Sequence, residues 1–470
     1  MESAIIDTKL LTFEGDGLGI IDDGAVRFTE RIEWVGKTAD IDLEGVERVI
    51  DGSGHVTMPG LVNAHTHTGL TILRGGAQDV PEIEWMNKAL APLTRRMKMD
   101  DIIIGSKLGV LEGLRSGITT FGEYSSDVRV LIEEVYEPFG VRVAAAETIN
   151  EVVSERTRLG PKDLYELDPD KGSALLKRTD ELYESYKDSG SVDILYGPQA
   201  LDMVSSETML KVKEKAKERD CKIHMHVAQG ERERLQVYGR YEKSTVDVLD
   251  GWDMLDSDLI AVHCHDTTKK ERGLLVKSDV GMVGCPSSIA MIDGMVPPVW
   301  DHLSSGGSVG LGTDQAPGPG THNMFREMRT ISVLTKTMYK DPTLLPAWET
   351  LRLGCKGGAE VLGMDDKIGS IKEGKLADMI MVDLSKTHQT PSVDIPFHNY
   401  VPNLAYSTHQ ADNVIIGGKI VLLDGEFVHI DEEEVVHEAQ ERATVLFNHA
   451  ADDWRSADSY LVEMNRKGML

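Results

Sequence analysis

Eight short runs of apolar, β-favouring residues, each followed by a stretch with helical patterning, constrain this 470-residue chain more than any other feature. The runs fall at 58–64, 118–122, 141–146, 193–197, 222–227, 259–264, 280–284 and 308–312. Amphipathic segments such as 100–115, 206–219 and 324–337 lie between them, and Ser205-Ser206-Glu207-Thr208 has the form of a helix start. Strands alternating with helices predict a parallel sheet with crossover helices. Eight of them is the count of a closed α/β barrel, the (β/α)8 or TIM barrel.

Most of these runs end in a residue able to do chemistry. In order these are His65 and His67, Glu123, Glu147, Gln199, His226, His263, Cys285 and Ser287, and Asp314. Barrel enzymes build their sites from the C-terminal ends of several strands, so the collective pattern weighs more than any member. The most specific member is Asn63-Ala64-His65-Thr66-His67. Alternation along a strand points residues two apart the same way, so two imidazoles would stand side by side, as a metal ion requires. His224 shares a face with His226, and spacing alone does not choose between them. His265 lies beyond its strand and reads as a loop residue.

The flanks differ from the barrel. Runs 5–13, 25–28 and 32–35 on one side, and 379–382 with a hairpin of 414–420 and 425–429 on the other, suggest one small composite β-sandwich into which the barrel is inserted. The expected units are therefore 1–57 with 366–430 as the sandwich, 58–365 as the barrel, and 431–470 as a C-terminal helical segment. Acidic residues at its start suit a helix dipole, and Trp454 and Tyr460 are expected to pack on the body.

The formal charge of −28 disfavours nucleic acid and anionic membrane surfaces as partners. No segment reads as membrane-spanning or signal-like. Four dispersed cysteines without a Cys-x-x-Cys pair fit a reducing compartment, so a cytoplasmic protein acting on a small molecule is expected.

The run Pro59-Gly60-Leu61-Val62-Asn63-Ala64-His65-Thr66-His67 resembles the first-strand signature of the amidohydrolase superfamily. Leu73-Arg74-Gly75-Gly76, Trp85, the runs around His226 and His263, Gly312-Thr313-Asp314 and the segment 369–378 extend the resemblance over nearly the whole chain. Within the superfamily it is similar to the branch of S-adenosylhomocysteine/methylthioadenosine deaminases, guanine-type deaminases and triazine hydrolases. The resemblance implies a barrel with a composite β-sandwich, and one divalent metal: zinc by default, iron or manganese as alternatives. It assigns His65, His67, His226 and Asp314 to the metal and His263 to the attacking water, favours His226 over His224, and makes a homo-oligomer the expectation.

A divalent cation lowers the pKa of water from about 15.7 to about 7, and Asp314 would move the water's proton to the leaving group. The chain departs from the deaminase pattern at four places. Gln229 stands where the deaminases carry the glutamate that protonates the ring nitrogen. Gln199 replaces a purine-contacting histidine. Thr94 falls near the ribose-binding glutamate that follows the tryptophan matched by Trp85. Glu147 falls at a carboxylate-binding arginine. These residues, with Trp85, are the candidate substrate contacts. Taken together they give the expectation of a deaminase of a non-nucleoside amino-heterocycle, not S-adenosylhomocysteine. The alternative is a hydrolase that displaces chloride, an alkylamine or an amide amine. A further alternative gives Glu123 or Glu147 a second metal ion.

Overall fold

The computed structural model describes residues 1–155, 158–160 and 162–469. Five strands precede the barrel: β1 (Ser3–Leu11), β2 (Ile20–Phe28), β3 (Ile32–Lys37), β4 (Arg48–Asp51) and β5 (His55–Pro59). The barrel strands are β6 (Leu61–Thr66), β7 (Ile118–Ser125), β8 (Arg142–Ile149), β9 (Val192–Pro198), β10 (Ile223–Val227), β11 (Leu259–His263), β12 (Gly281–Gly284) and β13 (Val309–Leu311). They neighbour one another in chain order, all parallel. A parallel bridge between Thr66 and Asp314 brings the first strand's end to the residue following the last, nearly closing the ring. Tyr124, Ala144, Ala146, Leu195, Ile260, Val262 and Val283 belong to one buried cluster, so the barrel is packed and its chemistry is confined to the strand ends.

The expected strand at 58–64 is two strands. Met58 and Pro59 belong to β5, which pairs with β1 and with β14 (Met379–Asp383). After Gly60 the chain turns into the barrel, with Gly60 N–H donating to the Asp378 carbonyl and Leu61 N–H to that of Gly117. Only glycine fits this seam, because a Cβ at position 60 would lie 2.1 Å from Thr119 Oγ1.

Strands β15 (Asn413–Ile416), β16 (Lys419–Leu423) and β17 (Glu426–Phe427) complete a nine-stranded mixed sheet drawn from both flanks. Its core joins Ile5, Val26 and Phe28 to Met379, Met381 and Ile415. The strand expected at 414–420 instead breaks at Gly417-Gly418, both at positive φ, which is the backbone a two-residue hairpin turn demands. A buried ion pair between Arg142 and Asp378, 2.9 Å apart, ties the barrel to this sheet.

The C-terminal helix Glu432–Ser456 packs on the helix Met99–Arg115. Asp431 caps it by accepting from Glu434 N–H, and Arg115 pairs with Glu432. Trp454 packs against the body as expected. Tyr460 is only partly covered, at 44% exposure, and its backbone N–H donates to Glu84. Among the described residues no helix is long and apolar enough to cross a membrane.

Candidate active site

Two ends of the barrel are stitched together by backbone hydrogen bonds. Asp314 N–H donates to the His65 carbonyl at 3.0 Å, and the Asp314 carbonyl accepts from His67 N–H at 3.3 Å. Asp314 sits at φ +59°, a left-handed conformation that turns the chain back over β6. Gly312 makes the approach possible, because a Cβ there would lie 2.7 Å from the His65 carbonyl oxygen. His263 is also left-handed, at φ +76°.

The result gathers four imidazoles and one carboxylate from distant parts of the chain. Ring centroids of His65 lie 4.8 Å from His67, 4.9 Å from His226 and 5.7 Å from His263. Asp314 Oδ1 is 3.4 Å from His67 Nε2 and 3.7 Å from His65 Nε2, while Oδ2 is 4.0 Å from His263 Nε2. Ser288 Oγ donates to Oδ2 at 2.5 Å, holding the carboxylate in place.

Hydrogen bonds at the far side of the His67 and His226 rings turn their Nε2 atoms inward. His67 Nδ1 donates to the Tyr124 carbonyl at 2.6 Å, and His226 Nδ1 to that of Gln199 at 2.7 Å. A carbonyl only accepts, so each Nδ1 carries a proton and each ring turns its Nε2 inward. His65 Nδ1 is 3.0 Å from His224 Nε2, which leaves His65 Nε2 buried and unpartnered among the described residues. Burial holds His65 well below the ordinary histidine range, with further lowering by the neighbouring His67, His226 and His224. Burial and then His67 bring His226 down to about 4. Burial would raise the Asp314 carboxyl, but His263 and His67 and the Ser288 hydroxyl more than offset this and hold it below its usual value. At neutral pH the buried, neutral His65 and His226 rings therefore crowd beside a carboxylate, a donor set that a cation between them would stabilise. The donor atoms of His65, His67 and His226 lie within 4.8 Å of one another, as do those of His65, His263 and Asp314. This donor set fits a divalent ion.

The cluster opens into a cavity of about 390 Å³ lined by Trp85, Met86, Leu90, Thr94, Met97 and Ile102 on one side. Gln199 and Gln229 also border it, so four of the expected substrate contacts share this space with His67, His226, His263 and Asp314. Glu147 does not. It is fully buried, accepts from Asp127 and Val128 N–H groups at 3.2 and 2.8 Å, and pairs with Arg178. Its alternation along β8 turns it away while Thr148 faces the cavity. Glu123 is likewise occupied, by Thr68 and the Tyr136 hydroxyl. Neither joins the imidazole cluster. His224 stands behind His65, and His265 is buried beside Asp293 at 3.2 Å.

Sequence reading missed Ser288, Tyr124, Glu82 and Asp293. Glu82 is one helical turn before Trp85, a spacing that would have placed it on the same side. Ser288 follows the expected Ser287 by one residue, on the first turn of the helix Pro286–Ile292. Ser287 turns instead to Glu327.

Residues 56–421 match the amidohydrolase family. The chain belongs to this family. It is 33% identical over 450 residues to a 5-methylthioadenosine/S-adenosylhomocysteine deaminase of Pelotomaculum thermopropionicum, covering 93% of this chain and 97% of that one. It is 33% identical to a 5'-deoxyadenosine deaminase of Methanosarcina mazei, with 94% and 98% covered. A solved zinc-bound adenosine deaminase from Xanthomonas campestris superposes with a TM-score of 0.85 at 27% identity, over 97% of this chain and 98% of that chain.

This amidohydrolase is thus a hydrolase of carbon–nitrogen bonds outside peptides. Its relatives, named as nucleoside deaminases, overturn the expectation of a non-nucleoside substrate. Glu147, which falls at the position of a carboxylate-binding arginine, does not line the cavity.

Proposed function

We propose that this amidohydrolase deaminates an adenosine-type nucleoside of the 5'-deoxyadenosine or 5'-methylthioadenosine class, replacing the 6-amino group of the purine with oxygen. Full-length similarity to two nucleoside deaminases carries this reading. An apolar slot that ends on the imidazole cluster supports it. In this reading His65, His67, His226 and Asp314 hold one divalent ion, for which the zinc-bound neighbour sets the precedent, and which when bound makes water nucleophilic near neutral pH.

The chain's own residues do the rest. Trp85 and the aliphatic wall bind the purine and exclude bulk water. His263 and Asp314 orient the attacking water. Asp314 takes one of its protons and later gives it to the departing amine. Gln229, whose buried amide nitrogen has no hydrogen-bond partner among the described residues, would hydrogen-bond the purine edge from the cavity wall.

The test is ammonia release by zinc-loaded protein from 5'-deoxyadenosine, 5'-methylthioadenosine and adenosine. Conversion of at least one to the corresponding hypoxanthine nucleoside is expected. Inertness toward all three, with zinc bound, would sink the proposal.

A further inference from the structure

Attack of water at the purine C6 drives the C6=N1 π pair onto N1, and that nitrogen must take a proton as the C–O bond forms. Gln229 has none to give. Tyr124 also borders the cavity, but its hydroxyl donates to the Gly197 carbonyl at 2.6 Å and burial pushes its pKa up. Asp314 and His263 are committed to the water. Among the described residues, the remaining acids on the cavity wall are Glu82 and Asp293.

Both converge on Gly230, the residue after Gln229. A Cβ at that position would lie 2.9 Å from Asp293 Oδ1 and 3.2 Å from Glu82 Cδ. The missing side chain therefore makes the room these two carboxyl groups occupy. Asp293 has His265 at 3.2 Å. Among the described residues, the cation nearest Glu82 is Arg232, with Nε 3.9 Å away and its guanidinium engaged by Asp202, while the Arg232 backbone N–H donates to Glu82 at 3.4 Å.

Resting on the nucleoside deaminase reading, we propose that Glu82 is the general acid of this enzyme, delivering from the far side of Gly230 the proton that position 229 cannot supply. The Glu82 carboxyl O–H protonates N1 as the water oxygen bonds to C6. The C6–NH2 bond then breaks, ammonia leaves with the proton held by Asp314, and the C6 hydroxyl proton restores Glu82. Water and nucleoside are consumed; ammonia and the N1–H lactam are formed. The surroundings of Glu82 keep a proton available to it near neutral pH. Burial, then the neighbouring Asp293, outweigh Arg232 and His265 and raise its pKa to about 7.

The experiment compares wild type, Glu82→Gln, Gln229→Glu and the double variant as zinc-loaded enzymes on the nucleoside that wild type deaminates. Loss of a general acid predicts a kcat lowered about 10²–10⁴-fold in Glu82→Gln with KM and zinc content held. Wild-type kcat should fall as pH rises through the Glu82 pKa, and this limb should vanish in Glu82→Gln. Adding Gln229→Glu should restore most of the lost kcat, which a merely structural role for Glu82 would not allow. Undiminished kcat in Glu82→Gln, or a loss that Gln229→Glu leaves untouched in folded, zinc-loaded protein, overturns the assignment. If Glu82→Gln does not fold, Glu82→Asp replaces it, with a withdrawn acid expected to lower kcat and unchanged kcat overturning the proposal. Failure of wild type itself on every adenosine-type nucleoside overturns the function reading, and this assignment with it.

Discussion

At the scale of single residues, the site turns on which nitrogen each histidine presents. Alternation put His224 and His226 on one face of β10 and could go no further. Depth in the barrel separates them: His226 reaches the cavity, whereas His224 lies fully buried against His65 Nδ1. The two positions should fail differently. His226→Ala removes a donor atom and is expected to yield protein without stoichiometric zinc. His224→Phe leaves the donors in place but frees the His65 ring, and loss of such a supporting contact typically weakens metal binding about 10–100-fold. Zinc content after dialysis against graded chelator distinguishes these outcomes. Equal retention in both variants would mean that His226 is not a ligand. Residues such as Ser288 and Asp293 were illegible in the sequence because their importance comes from packing across the barrel mouth.

Elements were easier to read than their joints. Period-two and helical patterning located all eight barrel strands, since burial on both faces forces long apolar runs there. Patterning failed at Gly60 and at Gly417-Gly418, where an apolar run continues through a change of sheet or a turn. What interrupts these strands is backbone geometry, which hydrophobicity does not record. Gly60 offers the sharper test. A Cβ there would meet Thr119 Oγ1 at 2.1 Å and Cγ2 at 2.3 Å, and overpacking of this kind costs about 1–3 kcal/mol. Gly60→Ala should lower the denaturation midpoint, and Thr119→Ala, which removes both atoms, should recover part of the loss in the double variant. Strict additivity of the two substitutions would show that the seam does not depend on this contact.

For the whole molecule, buried titratable groups pull stability in opposite directions as pH changes. His322 lies fully buried among the hydroxyls of Thr66, Thr71 and Thr313, and burial brings it down to about 4 from 6.5. Its folded pKa is lower than its unfolded one, so its contribution is complete above the unfolded value. It is lost as pH falls from 6.5 toward 4, in total about 3 kcal/mol. Glu233 and Glu327, raised to about 7 by burial, behave in reverse. They favour the fold most when both states are protonated, and their contribution falls as pH rises from 4.5 toward 7. The absolute pH profile therefore mixes both classes, and the useful quantity is a difference. His322→Gln keeps polar side-chain atoms but cannot take the proton. The stability gap between wild type and His322→Gln, followed by urea denaturation of zinc-free protein, should shrink on going from pH 7 to pH 4. A gap independent of pH across that range would mean that His322 is not held neutral by the barrel.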